Sequence, residues 1–424
     1  MAKKVLILCN DFPPINSIGA ERPYSWYKYF KEFNLEPIVI TKNWISDGNT
    51  PYNQVSNLRL VENGQFGTII RAARKNTPSS WFRSVFGERL SIFRKALTLL
   101  EKLMSFSFFA FDQNSSIYKE AGQYISKNKV SLIITTGEPF ILFKYGYLLK
   151  KKHGIPWIAD YRDGWYINHV RSIQTDFFNK LIRAKELKFE LKFTQLADLI
   201  TTVDPELASR IESLTNKKTE VVYNGFWDFH QTITESVEKP KIVLNHTGTL
   251  TIGQRLELLL DALVELKSEN RIDENQVRLN FIGLEYFPAQ MERLNKYRKV
   301  LGKIIQTTPR LTKEDAVRMN LEADYLVNFT DPNLSAIYAK TYDYIASKKP
   351  ILVIPGDGKL LDKLILQNNL GFVLNTKEEI KSYLVNPTKW NPSDSNISFF
   401  TRKKQAEQLS LKIKNISGNL NNES

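Results

Sequence analysis

The chain has almost no cysteine and no long apolar run. Cys9 is the only cysteine among 424 residues, which excludes a disulfide framework and fits a reducing compartment. The apolar run at 5–9 follows two lysines but is too short for the core of a signal peptide. No uninterrupted apolar stretch reaches the roughly 20 residues that span a bilayer. We therefore expect a cytoplasmic protein that is soluble or peripheral to a membrane.

Negative charge is scarce relative to positive charge. The chain has 59 Lys and Arg against 45 Asp and Glu, for a net charge of +14. This balance favours an anionic partner, such as a nucleic acid, an acidic membrane surface or a phosphorylated substrate. Because the chain has no zinc-finger or RNP-type signature and spreads its basic residues widely, nucleic acid is the weakest of the three and none is expected as a partner.

The sequence does contain the pattern of an α/β enzyme. A length of 424 residues favours two domains, and the hydrophobic share of 42% is ordinary for a globular protein. Apolar runs alternate with amphipathic segments, which predicts doubly wound parallel sheets. In the first half, strands are predicted at 5–9, 37–41, 131–136, 156–159, 199–203 and 221–223.

A second series of strands and helices follows a polar stretch at 228–241, which has the composition of a linker. We predict one domain over 1–230, another over 241–395, and a terminal segment over 396–424. In that segment, a helix at about 402–413 packs back towards the first domain, and the tail rich in Asn and Ser is disordered. Two such domains would place the carboxyl ends of their strands around one cleft for the ligand.

In the second series, a lysine stands at the predicted start of a helix. Apolar residues at i, i+3 and i+4 predict a helix that begins near Lys340, and Pro350 separates it from a strand at 351–354. A helix N-terminus suits a phosphate, and Lys340 adds a full positive charge there. Asp343 follows closely enough to hydrogen-bond a sugar hydroxyl. The alternative is an ordinary helix–strand unit without a ligand.

Residues 71–111 form a basic segment of a different kind. Their apolar residues follow a 3-4-3-4 spacing, which predicts a basic amphipathic helix at about 88–104. Such a helix suits the interface of an anionic membrane. The alternative is a helix packed on its own domain with a solvated basic face. The apolar positions are Leu90, Phe93, Leu97, Leu100 and Met104.

Several motifs carry a family resemblance over nearly the whole chain. In order, they are found at 11–14, 156–165, 197–203, 224–226, 248–250, 339–344 and 349–350. With them the chain resembles a GT-B glycosyltransferase of the large retaining group that uses nucleotide-sugar donors, often called family 4. The resemblance implies two Rossmann-like domains in tandem, the first for the acceptor and the second for the donor. It implies no cofactor and no metal, since the nucleotide-sugar is a co-substrate.

The resemblance also implies which residues bind the donor. Lys340 and the N–H groups of Ala339 and Thr341 would stabilise the departing diphosphate, with Arg255 as second choice. Asp343 would bind the ribose hydroxyls, and two glycines would let the backbone approach the phosphates. The expected donor set is Gly19, Gly248, Thr249, Arg255, Tyr338, Ala339, Lys340, Thr341 and Asp343.

Charged residues at the end of the strand at 156–159 form the expected catalytic group. Asp160, Arg162 and Asp163 would activate an acceptor hydroxyl or hold it. Asp163 is the favoured base because it lies beyond the strand end. The alternative is a structural ion pair that pins the loop. The two aspartates lack the further ligands of a metal site, so we expect no metal.

Other polar residues are expected around the acceptor. Glu138 and Pro139 would line the acceptor or sugar pocket, and Arg22 would hold an acceptor phosphate. His246 is expected to be structural rather than catalytic.

The sequence departs from the family at two positions. The family often has an acidic residue eight positions before the one that Asp343 matches, where this chain has Ser335. Thr249 stands where many members have Arg.

The predicted function is transfer of a sugar, from a UDP-sugar rather than a GDP-sugar, to a glycan or lipid-linked glycan in cell-surface polysaccharide assembly. Retention of configuration follows from the resemblance alone. The alternatives are a nucleotide-sugar isomerase of the 2-epimerase type and a non-catalytic homologue that acts as a partner subunit.

Overall fold

The protein folds into two compact units. The computed structural model describes residues 2–15, 17–45, 54–87, 91–104, 106, 112–168, 177–228, 241–286 and 288–422. The first unit contains Met1–Tyr223 and Gln405–Ser424, and the second contains Asn224–Lys404. The first unit therefore ends before the predicted boundary at 230, and residues 229–240 of the predicted linker lie outside the described residues.

The first unit is built on a mostly parallel sheet. Its strands are β1 (Lys3–Leu8), β2 (Leu35–Lys42), β3 (Trp44–Ile45), β4 (Gln54–Val55), β5 (Leu60–Asn63), β6 (Thr68–Ala72), β7 (Leu132–Gly137), β8 (Trp157–Tyr161), β9 (Leu199–Thr202) and β10 (Thr219–Val221). Eight of them have the order β10-β9-β8-β7-β1-β2-β6-β5, and only the β5–β6 pair is antiparallel. The winding direction reverses between β1 and β7, which makes that place the topological switch point.

Helices cover both faces of this sheet. They are α1 (Ile18–Tyr29), α2 (Pro78–Phe86), α3 (Ser91–Met104), α4 (Ser115–Lys127), α5 (Ile141–His153), α6 (Phe177–Thr194) and α7 (Pro205–Thr215). Side chains of β1 alternate between two cores, because successive residues of a strand point to opposite faces. Leu6 and Leu8 join the core beside α4 and α5, whereas Val5 and Ile7 join the core beside α1. The predicted α/β class is confirmed for this unit.

The second unit has a fully parallel sheet of six strands. They are β11 (Ile242–Thr247), β12 (Val277–Ile282), β13 (Ile305–Thr307), β14 (Tyr325–Phe329), β15 (Ile351–Ile354) and β16 (Gly371–Val373). Their order is β13-β12-β11-β14-β15-β16, the doubly wound arrangement whose switch point lies between the first and fourth strands, here β11 and β14. The helices are α8 (Glu257–Ser268), α9 (Pro288–Leu301), α10 (Lys313–Glu322), α11 (Ala339–Ala346), α12 (Leu360–Gln367), α13 (Lys377–Val385) and α14 (Asp394–Phe399).

The last helix corrects the expectation of a disordered tail. Helix α15 spans Arg402–Asn422 rather than ending near 413. Ala406, Leu409 and Ile413 are buried in the core of the first unit, and Ile416 packs against it. These residues keep the 3-4-3 spacing of a helix face beyond the predicted end, so packing on the core extends the helix.

The basic segment forms two helices rather than one. Helix α2 ends at Gly87, which adopts φ +59°, and α3 begins at Ser91. Arg89 and Leu90 of the predicted helix lie outside the described residues. None of the described helices is both long enough and apolar enough to cross a bilayer.

Candidate functional site

A half-buried lysine lies at the switch point of the second unit. Lys340, in the first turn of α11, donates from Nζ to the Nε2 atom of His246 at 3.1 Å and to the carbonyl of Thr249 at 3.0 Å. His246 belongs to β11, and Thr249 to the loop that follows it. An ammonium group has three N–H donors, so these two contacts leave one donor for a ligand.

Helix α11 is fixed to both strands of the switch point. The Tyr344 hydroxyl accepts a hydrogen bond from the backbone of Thr247 at 2.7 Å, at the end of β11. The Thr341 hydroxyl accepts one from Asn328 of β14 at 3.1 Å. These contacts set the start of the helix, and with it Lys340, above the carboxyl ends of the two strands.

His246 orients the lysine. Its side chain has no exposed surface, and Nδ1 lies 2.9 Å from the carbonyl of Val327. Because a carbonyl only accepts, we assign the ring proton to Nδ1, which leaves the Nε2 lone pair for Lys340. Burial and the nearby Lys340 charge lower the pKa of His246 well below its usual value, so the ring stays neutral. Sequence reasoning treated His246 as structural and missed this contact, because the two residues lie 94 positions apart.

The surroundings of Lys340 also change its charge. Burial lowers the pKa of Lys340 to about 7. Gly248, at φ +85°, has no side chain, and a Cβ atom there would lie 4.0 Å from the ammonium. An anion that reached the lysine over this glycine would favour the charged form and raise the pKa again.

The loops around the lysine are tied to each other. Gln254 is buried, donates to the carbonyl of Phe329 at 2.7 Å and accepts from the backbone of Thr251 at 2.8 Å. The carboxylate of Asp331 occupies the space where a Cβ atom of Gly253 would lie. The loop after β11 is therefore held against the loop after β14, as a preformed site requires.

The structure shows the surroundings of three residues of the expected donor set. The N–H of Thr341 donates to the carbonyl of Tyr338 at 2.9 Å, so it is not open to a phosphate and that expectation is corrected. The guanidinium of Arg255 is exposed, and the residue contacts the opposite loop through its backbone N–H. Asp343 is half-buried, one turn into α11.

Tyr338 and Ser335 are two further candidates in this region for contact with a ligand. Tyr338 is half-buried, and burial raises the pKa of its hydroxyl. The Ser335 hydroxyl is buried and has no hydrogen-bond partner among the described residues. A buried polar atom without a partner is uncommon and points to a missing ligand or water.

In the first unit, Asp160 and Arg22 form a buried ion pair. Asp160 has no exposed surface, and its carboxylate accepts from Arg22 at 2.6–3.2 Å and from Thr201 at 2.7 Å. Arg22 also donates to the carbonyl of Val222 at 2.6 Å. Both side chains are buried and paired with each other, which favours the structural alternative over catalysis by Asp160 and acceptor binding by Arg22. Asp163, by contrast, is exposed beyond the end of β8.

Gly19 lies close to the side chains of Arg162 and Asp11. A Cβ atom at this position would lie 1.8 Å from Nη1 of Arg162 and 2.7 Å from Oδ2 of Asp11. The glycine therefore makes room for the Arg162 guanidinium against the first turn of α1. Its expected place beside a donor phosphate stays a prediction.

A cavity of about 560 Å³ opens at the switch point of the first unit. It brings together Arg162, Glu138 and Pro139, which the sequence assigned to catalysis or the acceptor. The cavity is also lined by Lys42, and burial lowers the pKa of this lysine to about 8. The side-chain amide oxygens of Asn10 and Asn114 have no hydrogen-bond partner among the described residues. Among the described residues, the lining consists of Asn10, Asp11, Lys42, Phe106, Asn114, Glu138, Pro139, Phe140, Ile141, Arg162, Trp165 and Glu186.

No protein-family model and no curated protein sequence matches the chain. Solved structures do match over nearly its whole length. The catalytic domain of starch synthase IV from Arabidopsis thaliana, bound to ADP and acarbose, is 10% identical, with 99% of each chain covered and a TM-score of 0.59. An E. coli structure described as trehalose-6-phosphate bound with UDP-2-fluoro glucose is 9% identical, with 99% of this chain and 98% of that chain covered and a TM-score of 0.56.

A third similar structure is Alr3699/HepE from Anabaena in complex with UDP and glucose. It is 13% identical, with 99% of this chain and 98% of that chain covered and a TM-score of 0.50. At such low identities the likeness concerns the fold. The chain has the GT-B fold, with two doubly wound α/β domains, and the predicted resemblance is confirmed at that level. Membership of the retaining family 4 stays a prediction.

Proposed function

We propose that the protein is a glycosyltransferase that moves a sugar from a nucleotide donor, with a UDP-sugar favoured, to a glycan or lipid-linked glycan acceptor. The observation that carries this proposal is the Lys340 ammonium, held by His246 and Thr249 at the switch point of the second unit. Ligands of doubly wound sheets bind at that point. Two of the similar structures hold UDP or a UDP-sugar, which supports the choice of nucleotide.

Lys340 would act on the leaving group. In the transfer, the bond between the anomeric carbon and the diphosphate oxygen breaks, and its electron pair leaves with the diphosphate. The acceptor oxygen forms the new bond and loses its proton to Asp163, the proposed base. The Lys340 ammonium and the N–H of Ala339, at the start of α11, would stabilise the charge that develops on the diphosphate.

Neighbouring residues would position the rest of the donor. Asp343 would accept hydrogen bonds from ribose hydroxyls. The unpartnered Ser335 hydroxyl would bond the transferred sugar in place of the carboxylate common in the family. A neutral hydroxyl both donates and accepts, so this position can hold a sugar hydroxyl without adding charge.

The cavity of the first unit is the proposed acceptor site. Arg162, Glu138 and Pro139 would contact the acceptor there, and Asp163 remains the proposed base. The setting we propose is cell-surface polysaccharide assembly at the inner face of a membrane, with retention of configuration and without a metal or cofactor.

A thermal-shift screen tests the donor site. We expect UDP at a hundredfold excess over its dissociation constant to add roughly 2.7 kcal/mol to the free energy of unfolding, because it binds only the folded protein. GDP, ADP and CMP at the same concentration should give smaller shifts. If none of the four nucleotides raises the melting temperature, the donor-site assignment fails. Incubation with UDP-sugars in the absence of acceptor would expose an isomerase instead.

UDP binding is expected to take up a proton at Lys340. With a pKa of about 7, the free lysine is mostly neutral at pH 8, and the bound diphosphate should restore its charge. The uptake should approach roughly 0.9 proton per UDP at pH 8. Titration calorimetry in buffers of different ionisation enthalpy measures this value. Lys340→Arg stays charged and should show no uptake, whereas a buffer-independent enthalpy for the unmodified protein would contradict the prediction.

A further inference from the structure

Helices α2 and α3 expose an unusual number of large apolar side chains. Ile92 is 79% exposed, Phe93 63% and Trp81 56%, and no residue of α2 is buried. Single exposed apolar residues need no explanation, but a group on two consecutive helices marks an interaction site. The group, here called the α2–α3 surface, consists of Trp81, Val85, Phe86, Ile92, Phe93 and Leu100.

The two helices form a fixed unit. Thr77 and Ser80 make reciprocal hydrogen bonds at the start of α2, as a capping box. Glu101 of α3 accepts from the backbone and the hydroxyl of Ser79 at 2.6 and 2.5 Å, which ties the end of α3 to the start of α2. The apolar side chains are therefore presented by an ordered pair of helices. Phe93 and Leu100 are exposed, which disfavours the alternative in which the whole apolar face packs on its own domain.

Positive charge gathers beside the apolar side chains of the same helices. Arg83, Arg94 and Lys95 line a cavity of about 520 Å³ together with Arg74, and no acidic side chain is among the residues described as lining it. On α3, Arg94 lies on the face opposite Ile92, and Lys95, three residues after Ile92, lies at the edge of the apolar side. Charges farther apart than the screening length of about 8 Å in physiological salt are largely screened, so the cations at the edge of the apolar side are the ones that act on a surface that meets that side.

We propose that the α2–α3 surface docks the protein on a bilayer that contains anionic lipid. Helices with an aromatic-rich apolar face and a basic polar face lie in the membrane interface, with the apolar side chains among the acyl chains and the cations attracted to the headgroups. A second copy of the chain is a poorer occupant, because it would bring two basic helix pairs together in a protein of net charge +14. The proposal does not depend on the nucleotide site.

Vesicle flotation tests the docking surface. The full chain should bind phosphatidylcholine vesicles that contain phosphatidylglycerol, and bind pure phosphatidylcholine more weakly. The combined variant Trp81→Ser, Ile92→Ser and Phe93→Ser should lower the partition coefficient by roughly tenfold or more. A matched control removes exposed apolar residues elsewhere, with Leu58→Ser, Val300→Ser and Leu411→Ser. No binding to the anionic vesicles, or an equal loss in the control, would overturn the proposal.

Charge variants separate the bilayer from other anions. Arg83→Gln, Arg94→Gln and Lys95→Gln should lower binding to anionic vesicles by roughly tenfold or more. The control Lys218→Gln, Lys303→Gln and Arg318→Gln removes as much charge from exposed positions elsewhere and should change it little. If the charge variant loses binding and the apolar variant does not, the surface is a general polyanion site and the proposal fails.

A fluorescent label reports insertion directly. Cys9 is buried and burial raises the pKa of its thiol, so an introduced cysteine can be labelled selectively. An environment-sensitive dye on Ile92→Cys should brighten and shift to the blue on anionic vesicles, whereas one on Val300→Cys should not. A shift that appears without vesicles and rises with protein concentration would assign the surface to a second copy and overturn the proposal. UDP-induced stabilisation should be unchanged in every variant, which keeps this test separate from that of the donor site.

Discussion

Replacement of Lys340 by methionine is expected to weaken UDP binding by roughly tenfold to a hundredfold, the loss of a charged hydrogen bond worth about 1.5–3 kcal/mol. The side chain keeps its length and apolar stem, so the variant removes mainly the ammonium group between His246 and Thr249. Isothermal titration with UDP gives the dissociation constant. The same variant should also lose the proton uptake expected at pH 8.

A control variant and a stability measurement distinguish a loss of UDP binding from a loss of folding. Lys348→Met changes the exposed lysine just beyond the other end of α11 and should leave UDP binding unchanged.

Lys340→Met should fold at least as well as the unmodified protein at pH 8. The folded-state pKa of about 7 lies below the unfolded value, so the unfolded chain binds the extra proton between pH 7 and 10.5 and buried Lys340 disfavours folding there. Unchanged UDP affinity in a folded Lys340→Met protein would refute the proposed anchor.

Asp160→Asn is expected to lower the free energy of unfolding by about 3–5 kcal/mol, the cost of leaving one partner of a buried ion pair unpaired. Arg22 is 2% exposed and would keep its charge without a carboxylate to balance it. The neutral amide keeps the shape of the side chain, so the loss reports charge rather than volume. Urea unfolding monitored by circular dichroism measures the change.

Asp163→Asn is the matched control, since the same substitution then falls on an exposed carboxylate three residues away. It should change stability by less than about 0.5 kcal/mol. A catalytic role of Asp160 predicts the opposite pattern, with normal stability of Asp160→Asn and a loss confined to sugar transfer. That pattern would return Asp160 to the proposed catalytic group.

The local parts of the fold could be predicted from the sequence. The helix at Ala339–Ala346 and the strand at Ile351–Ile354 lie where the apolar spacing and Pro350 placed them. Helix α2 was missed because the apolar spacing in the basic segment was followed only over about 88–104. The extension of α15 was missed because Asn and Ser dominate the composition of the tail, although Ile413 and Ile416 continue its apolar face.

The partners of the charged residues could not be predicted in the same way. Arg22 and Asp160 lie 138 positions apart, and they meet because α1 follows β1 while Asp160 lies in β8. His246 and Lys340 meet because β11 and β14 are neighbours at the switch point. Strand order decides both contacts, and strand order depends on how the whole sheet assembles.

The sequence by itself determined the α/β class, the excess of positive charge and the place of Lys340 at a helix start, because these depend on composition and on spacing within one element. Only the tertiary structure decided which charges are neutralised and which can meet a ligand. It buried Asp160 and Arg22 against each other, set Lys340 between His246 and Thr249, and left the apolar side chains of α2 and α3 exposed. The reason is that desolvation and pairing depend on neighbours brought from distant parts of the chain.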